Sequence, residues 1–85
     1  MTDGGRIEVR FLRGAAKDLE RIPLKDAENI LSRIERYAKG EPSDIKKLKG
    51  RGEYRLRCGA YRVLLVRTGS IADIHRILHR RDAYR

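Results

Sequence analysis

Two short runs flanking a glycine constrain this chain more than any other feature. Tyr54-Arg55-Leu56-Arg57-Cys58 and Tyr61-Arg62-Val63-Leu64-Leu65-Val66-Arg67-Thr68 read as strands, and only Gly59 and Ala60 separate them. Strand side chains alternate between faces, and glycine at the first central position suits a two-residue type II′ hairpin. With Gly59 and Ala60 at the turn, Cys58 falls opposite Tyr61, Arg57 opposite Arg62 and Leu56 opposite Val63. Tyr54, Leu56, Cys58, Tyr61, Val63 and Leu65 then share an apolar side, while Arg55, Arg57 and Arg62 share the other. Like charges directly across a strand pair are destabilising, by about a few tenths of a kcal/mol, unless an anion lies between them. The guanidinium's fixed fork of donors suits bidentate contact with a phosphate. On this register Arg62→Ala relieves repulsion and is expected to spare or stabilise the fold.

The rest of the chain supplies what must cover the apolar side. Arg6 to Phe11 alternates with period two, setting Ile7, Val9 and Phe11 on one face of a first strand. Ala15, Leu19 and Ile22 follow helical spacing up to Pro23, which ends that helix or opens the next. Ala27, Ile30, Leu31, Ile34, Tyr37 and Ala38 form one helical stripe, with Glu28, Arg33, Glu35, Arg36 and Lys39 away from it. Gly40 and Pro42 stop the helix. A basic connector, Ile45 to Gly52, leads into the hairpin. After a turn at Gly69-Ser70 a last strand runs from Ile71 to about His79, where Ile74 and Ile77 break alternation and imply a bulge or burial on both sides. The expected class is α+β in a single domain, 1–85. It has an N-terminal strand, a helical hairpin and three antiparallel strands, with the helices on one face of a small, mostly antiparallel sheet.

Charge then narrows the function. Residues 1 to 44 carry nine acidic and nine basic side chains, whereas 45 to 85 carry twelve basic and three acidic, so the net +9 sits in the second half. Folding does not require such self-repulsion, and a polyanion is the simplest compensating partner. The single cysteine, Cys58, cannot form an intramolecular disulfide and lies on the apolar side as a small core residue. The start of the chain is no signal peptide and the longest aliphatic run is Val63 to Val66, so a cytoplasmic protein with no membrane association is expected. His75 and His79 would stand roughly 13 Å apart along a strand, too far to chelate. No metal and no cofactor are expected, and His75 reads as structural or solvent-facing. Tyr37, Tyr54 and Tyr61 fit packing stripes. Tyr84 lies among charges at the end of the chain, where stacking on a base suits it. Lys46, Lys47, Lys49, Arg51, Arg81 and Arg85 are candidates for tracking an RNA backbone.

Taken in order, Lys46-Lys47-Leu48-Lys49-Gly50, Tyr54 through Val63 and the terminal His79-Arg80-Arg81-Asp82-Ala83-Tyr84 resemble the RelE branch of the RelE/ParE toxin superfamily over essentially the whole chain. The resemblance implies a type II toxin, held inactive by an acidic, partly disordered antitoxin, that cleaves mRNA in the ribosomal A site. The implied chemistry is attack of a ribose 2′-hydroxyl on the adjacent phosphate. It also implies roles. Arg55 and Arg57 occupy positions of base and phosphate binder, Arg62 that of transition-state stabiliser, Arg80 that of general acid, and Tyr84 that of a residue stacking on the substrate.

Two positions depart from the family pattern, which has lysines where Arg55 and Arg57 stand. An arginine is a poor proton acceptor near neutral pH, though it can bind phosphate and stabilise developing charge. His79 has the ordinary range for a general base; Tyr84, Asp82 or a group of the RNA or ribosome are alternatives, as is catalysis by alignment and electrostatics. Two other functions share these features: a ParE-like poison of DNA gyrase, and a nucleic-acid-binding or ribosome-binding module without chemistry.

Overall fold

A computed structural model describes residues 6–83. Tyr84 and Arg85 lie outside the described residues. The chain runs β1 (Glu8–Phe11), α1 (Arg13–Glu20), α2 (Leu24–Ala38), β2 (Ile45–Lys47), β3 (Glu53–Cys58), β4 (Tyr61–Thr68), β5 (Ile71–His79) and α3 (Arg80–Ala83). One sheet has the order β1-β5-β4-β3-β2, with β1 parallel to β5 and the other pairs antiparallel. This is the expected α+β arrangement. Ala15, Ile30, Ile34 and Tyr37 from the helices meet Leu56, Cys58, Val63, Leu65, Ala72, Ile74 and Ile77 from one sheet face.

The β3–β4 register is the one the turn dictates: Cys58 opposite Tyr61, Arg57 opposite Arg62, Leu56 opposite Val63. Gly59 has φ 61°, and among the described residues none other than glycine has positive φ, so Ala60 completes a type II′ turn. The helix α2 opens directly after Pro23. It closes with Gly40 at φ 83° as the Gly40 and Glu41 N–H groups bond back to the Tyr37 and Arg36 carbonyls, a Schellman arrangement.

In β5 the pairing shifts. Leu64 faces Arg76 but Leu65 faces Ile74, leaving His75 as the extra residue of a bulge. Ile74 and Ile77 thereby both reach the core, and His75 is exposed. Beyond the bulge β1 has ended, and α1 takes over the sheet edge. A Cβ at Gly14 would meet the His75 carbonyl oxygen at 3.0 Å, so only glycine lets the helix come this close without displacement. One turn on, Asp18 Oδ2 accepts the Ile77 N–H at 2.9 Å, standing in for a missing strand neighbour.

Three expectations need correction. The basic connector contains a strand: Ile45–Lys47 pairs with β3, so the sheet has five strands rather than four. Only Ile45, opposite Leu56, packs against the core, and the exposed lysines beside it conceal the alternation. Leu31 leaves the helical stripe at 41% exposure, and Phe11 is 38% exposed despite sharing a face with Val9. The cause is common to both: an open groove of about 280 Å³ runs between β1 and α2, lined by Ile7, Val9, Phe11, Leu31 and Ile34 among others.

Candidate nucleic-acid interface

The sheet face away from the core carries the site. Cross-strand partners share a face, so Lys46 and Arg55 form one like-charged pair and Arg57 and Arg62 a second, two residues further along β3. Leu64 continues the first row on β4, and Leu78 the second on β5. Four cations thus occupy one corner of the sheet. Arg57 is exposed, Arg55 half-buried and Arg62 only 5% exposed.

Arg62 shows how the corner tolerates its charge. Its Nη1 donates to the carbonyls of Gly59 at 2.9 Å and Tyr61 at 3.0 Å, so the guanidinium curls under its own turn. Arg57 instead reaches outward, with the Asp44 carboxylate 3.9 Å away, at the limit of an ion pair, and with its backbone N–H bonded to the Asp44 carbonyl. These bonds reverse the expectation: Arg62→Ala is now expected to cost stability rather than spare the fold. The repulsion it would relieve is already met by carbonyl dipoles, and its loss would leave two carbonyls without this donor.

The turn also holds the end of β5. The Ala60 carbonyl accepts the Arg80 N–H at 2.7 Å, so the backbone of Arg80 is fixed at the Gly59-Ala60 turn, with its side chain exposed. His79 is directed elsewhere. It stands opposite Tyr61 on the core side of the sheet, the rings edge-on with centroids 5.4 Å apart. Its Nδ1 accepts the Arg81 N–H at 3.3 Å. The arginines and His79 are therefore on opposite faces. Arg81 and Asp82 are exposed on α3. Lys47, opposite Tyr54, is exposed at the sheet edge, and Lys49 and Arg51 follow in the β2–β3 connection. That connection is at the far end of β3, roughly 17 Å from the Gly59-Ala60 turn at ~3.3 Å per residue.

Cys58 is buried, and burial pushes its thiol up to about 11, against the opposing pull of Arg33 and Arg62. It packs; a thiolate nucleophile is not available there. Tyr37 is buried, and Tyr54 and Tyr61 pack against the core as expected.

Sequence reading missed one set of cations. A cavity of about 140 Å³ lies where α2 meets β3, lined by Arg33, Arg36, Ser43, Asp44, Leu56 and Arg57. Arg33 and Arg36 stand off the apolar stripe of α2, which signals a surface position but not which strand they adjoin.

Comparison with known proteins agrees with this architecture. The model of the ParE toxin of type II toxin–antitoxin systems matches residues 9–84. Toxin RelE3 of Methanocaldococcus jannaschii is 32% identical over 84 residues, covering 92% of this chain and 96% of that protein. The crystal structure of the RelB–RelE antitoxin–toxin complex from Methanococcus jannaschii aligns with TM-score 0.75 and 31% identity over 88% of this chain and 94% of the other. The RelBE2 toxin–antitoxin complex from Mycobacterium tuberculosis aligns with TM-score 0.76 and 26% identity over 88% and 92%. No helix among the described residues is long and apolar enough to cross a membrane. With its hairpin register, its five-stranded sheet and these matches along nearly its full length, the chain belongs to the RelE/ParE superfamily of type II toxin–antitoxin toxins.

Proposed function

We propose that this toxin is a ribosome-dependent endoribonuclease of the RelE kind, acting in the cytoplasm on mRNA in the ribosomal A site. The observation that carries the reading is the pair of adjacent like-charged rungs, Lys46/Arg55 and Arg57/Arg62, on one sheet face. Guanidinium and ammonium donors paired in this way suit the non-bridging oxygens of a phosphodiester.

In the proposed reaction the ribose O2′ bonds to the adjacent phosphorus while the P–O5′ bond breaks, giving a 2′,3′-cyclic phosphate and a 5′-hydroxyl. Arg57 and Arg55 hold the non-bridging oxygens, and Arg62 adds positive potential from beneath the turn where charge accumulates in the transition state. Arg80, tied to Ala60, protonates or stabilises the departing O5′. Tyr84 stacks on the substrate base and aligns it. The 2′-hydroxyl proton leaves to a group of the RNA or ribosome, since His79 faces the core side and its Nδ1 already accepts a hydrogen bond. Alignment by the ribosome then supplies much of the rate. Lys46, Lys47, Lys49, Arg51, Arg81 and Arg85 track the flanking backbone.

An acidic, partly disordered antitoxin is the proposed partner, supported by the antitoxin complexes among the structural relatives. Coupled folding lets such a chain neutralise the basic face and fill the groove between β1 and α2, where Phe11 and Leu31 are exposed.

A gyrase poison is the second reading, favoured by the ParE description of the matching family model. Mapping RNA 5′ ends after brief induction separates the two. New 5′-hydroxyl ends within ribosome-bound mRNA, with intact DNA, are expected. Intact mRNA with a DNA-damage response would replace the ribonuclease reading with the poison.

A further inference from the structure

The cavity between α2 and β3 has no role in the chemistry above. Asn29, Arg33 and Arg36 fall at i, i+4 and i+7, one side of α2, and this side faces the hairpin: the side-chain amide of Asn29 lies 3.6 Å from where a Cβ of Gly59 would stand. Further along the helix Arg33 and Arg36 reach the cavity, and Arg57 closes it from β3. Three arginines therefore line about 140 Å³ together with one acidic residue, Asp44. Their neutralisation is incomplete. Arg36 makes an exposed pair with Glu41 at 3.2 Å, Arg57 is 3.9 Å from Asp44, and Arg33 makes no hydrogen bond or ion pair among the described residues. Both α2 arginines are exposed, so neither is needed to fill the core.

We infer that this cavity is a second phosphate subsite, in which Arg33 and Arg36 bind the RNA phosphodiester next to the one held on the sheet face, with Arg57 between the two. Arg57 belongs to both places, lining the cavity and standing in the outer-face rung with Arg62. Continuity through one residue favours a nucleic-acid backbone, whose phosphates recur at fixed spacing, over an acidic peptide. The inference rests on the ribonuclease reading only for the identity of the neighbouring phosphate.

The test uses the full chain and a short all-2′-O-methyl single-stranded RNA, which cannot be cleaved, with binding followed by fluorescence anisotropy against salt. Arg33→Ala/Arg36→Ala is expected to weaken binding roughly tenfold at low salt and to lower the salt slope by about 0.7 for the lost phosphate contact. Replacing single phosphates of the probe by neutral methylphosphonate identifies the contact: one position should cost the wild type roughly fivefold or more and the double variant nothing further. Thermal melting should be unchanged, because only an exposed ion pair is lost. Equal losses at every position in both proteins would overturn the subsite, as would weakened binding to polyglutamate with RNA binding intact, which would assign the cavity to an acidic protein segment. Cleavage without this coupling would sink the inference and leave the ribonuclease reading standing; coupling without cleavage would do the reverse.

Discussion

The outer face of this sheet is built by two different rules. On the β1/β5 side each cation has an anion: Arg10 bonds Asp73 through both carboxylate oxygens, at 2.8 and 3.2 Å, and Arg76 does the same with Asp18, at 2.7 and 3.1 Å. On the β2/β3/β4 side cation faces cation, at Lys46/Arg55 and Arg57/Arg62. Both halves belong to one five-stranded sheet. The first half therefore demonstrates that this chain can place a carboxylate opposite a guanidinium across a gap of about sixty residues. Where strand partners are instead both cations, the rungs offer donors to a shared anion at the expense of some stability.

The comparison breaks most visibly under alanine substitution. Arg57→Ala is expected to lower single-turnover cleavage on programmed ribosomes by about 10²- to 10³-fold, the scale of one lost oxyanion donor, while leaving the melting temperature unchanged or slightly raised. Arg57→Lys should fall between, keeping charge without the fork. Arg62→Ala should lose cleavage and also about 1 to 2 kcal/mol of stability, because the Gly59 and Tyr61 carbonyls lose a charged donor. Wild-type melting of Arg62→Ala would show that the clamp under the turn carries no energy.

On the balanced side the order reverses. Asp18→Ala should cost about 2 to 3 kcal/mol in denaturant unfolding, since the part-buried Ile77 N–H loses its acceptor along with the Arg76 pair, and should leave cleavage per folded molecule unaltered. Burial raises the Asp18 pKa, but the hydrogen bonds from Arg76 and Ile77 and the Arg76 charge outweigh it and hold the carboxyl below its ordinary value. A carboxyl depressed in the folded state contributes stability that is fully present above its unfolded value, about 3.9, and is lost as pH falls through the folded value. Asp18→Asn should therefore flatten the acid limb of the stability profile below about pH 4 and cost less than alanine at pH 7.

The smallest effect comes from making the unbalanced side resemble the other. Lys46→Glu places a carboxylate opposite Arg55 and should stabilise the fold by about 0.2 to 1 kcal/mol while weakening RNA binding and reducing its salt dependence. A destabilised variant would mean that Lys46 and Arg55 do not sense each other.

Much of this contrast is legible in the sequence. The type II′ turn fixes the β3–β4 register through the φ that Gly59 must adopt, and that register alone sets Arg57 against Arg62. The break in alternation at Ile74 and Ile77 is legible too, but as a bulge or burial on both sides, and the structure has the bulge. Tertiary partners are not legible. Nothing local marks Asp18 as the acceptor for a residue 59 positions away, or sets Arg33 beside Arg57. The three residues of β2 were hidden because an edge strand contributes one apolar side chain and two lysines. Arg62 misled for a different reason: alternation gives the face of a side chain but not whether its end turns back to bond its own turn.

The parallel pairing of β1 with β5 has a consequence for how the toxin comes into being. Among the described strands β1 pairs with β5, some sixty residues later in the chain, Glu8 meeting Ile71 and Phe11 meeting Ile74, and β5 also lies against β4 and α1. Until residues 71–79 are available, β1 and α1 have no sheet edge to dock on, and Ala72, Ile74 and Ile77 are missing from the core. The nascent chain thus cannot complete its sheet early, as a fold of purely local contacts could. The β3–β4 hairpin, whose partners are adjacent in sequence, needs no such wait, so the four-cation corner can form before the sheet edge that seats β1 and α1.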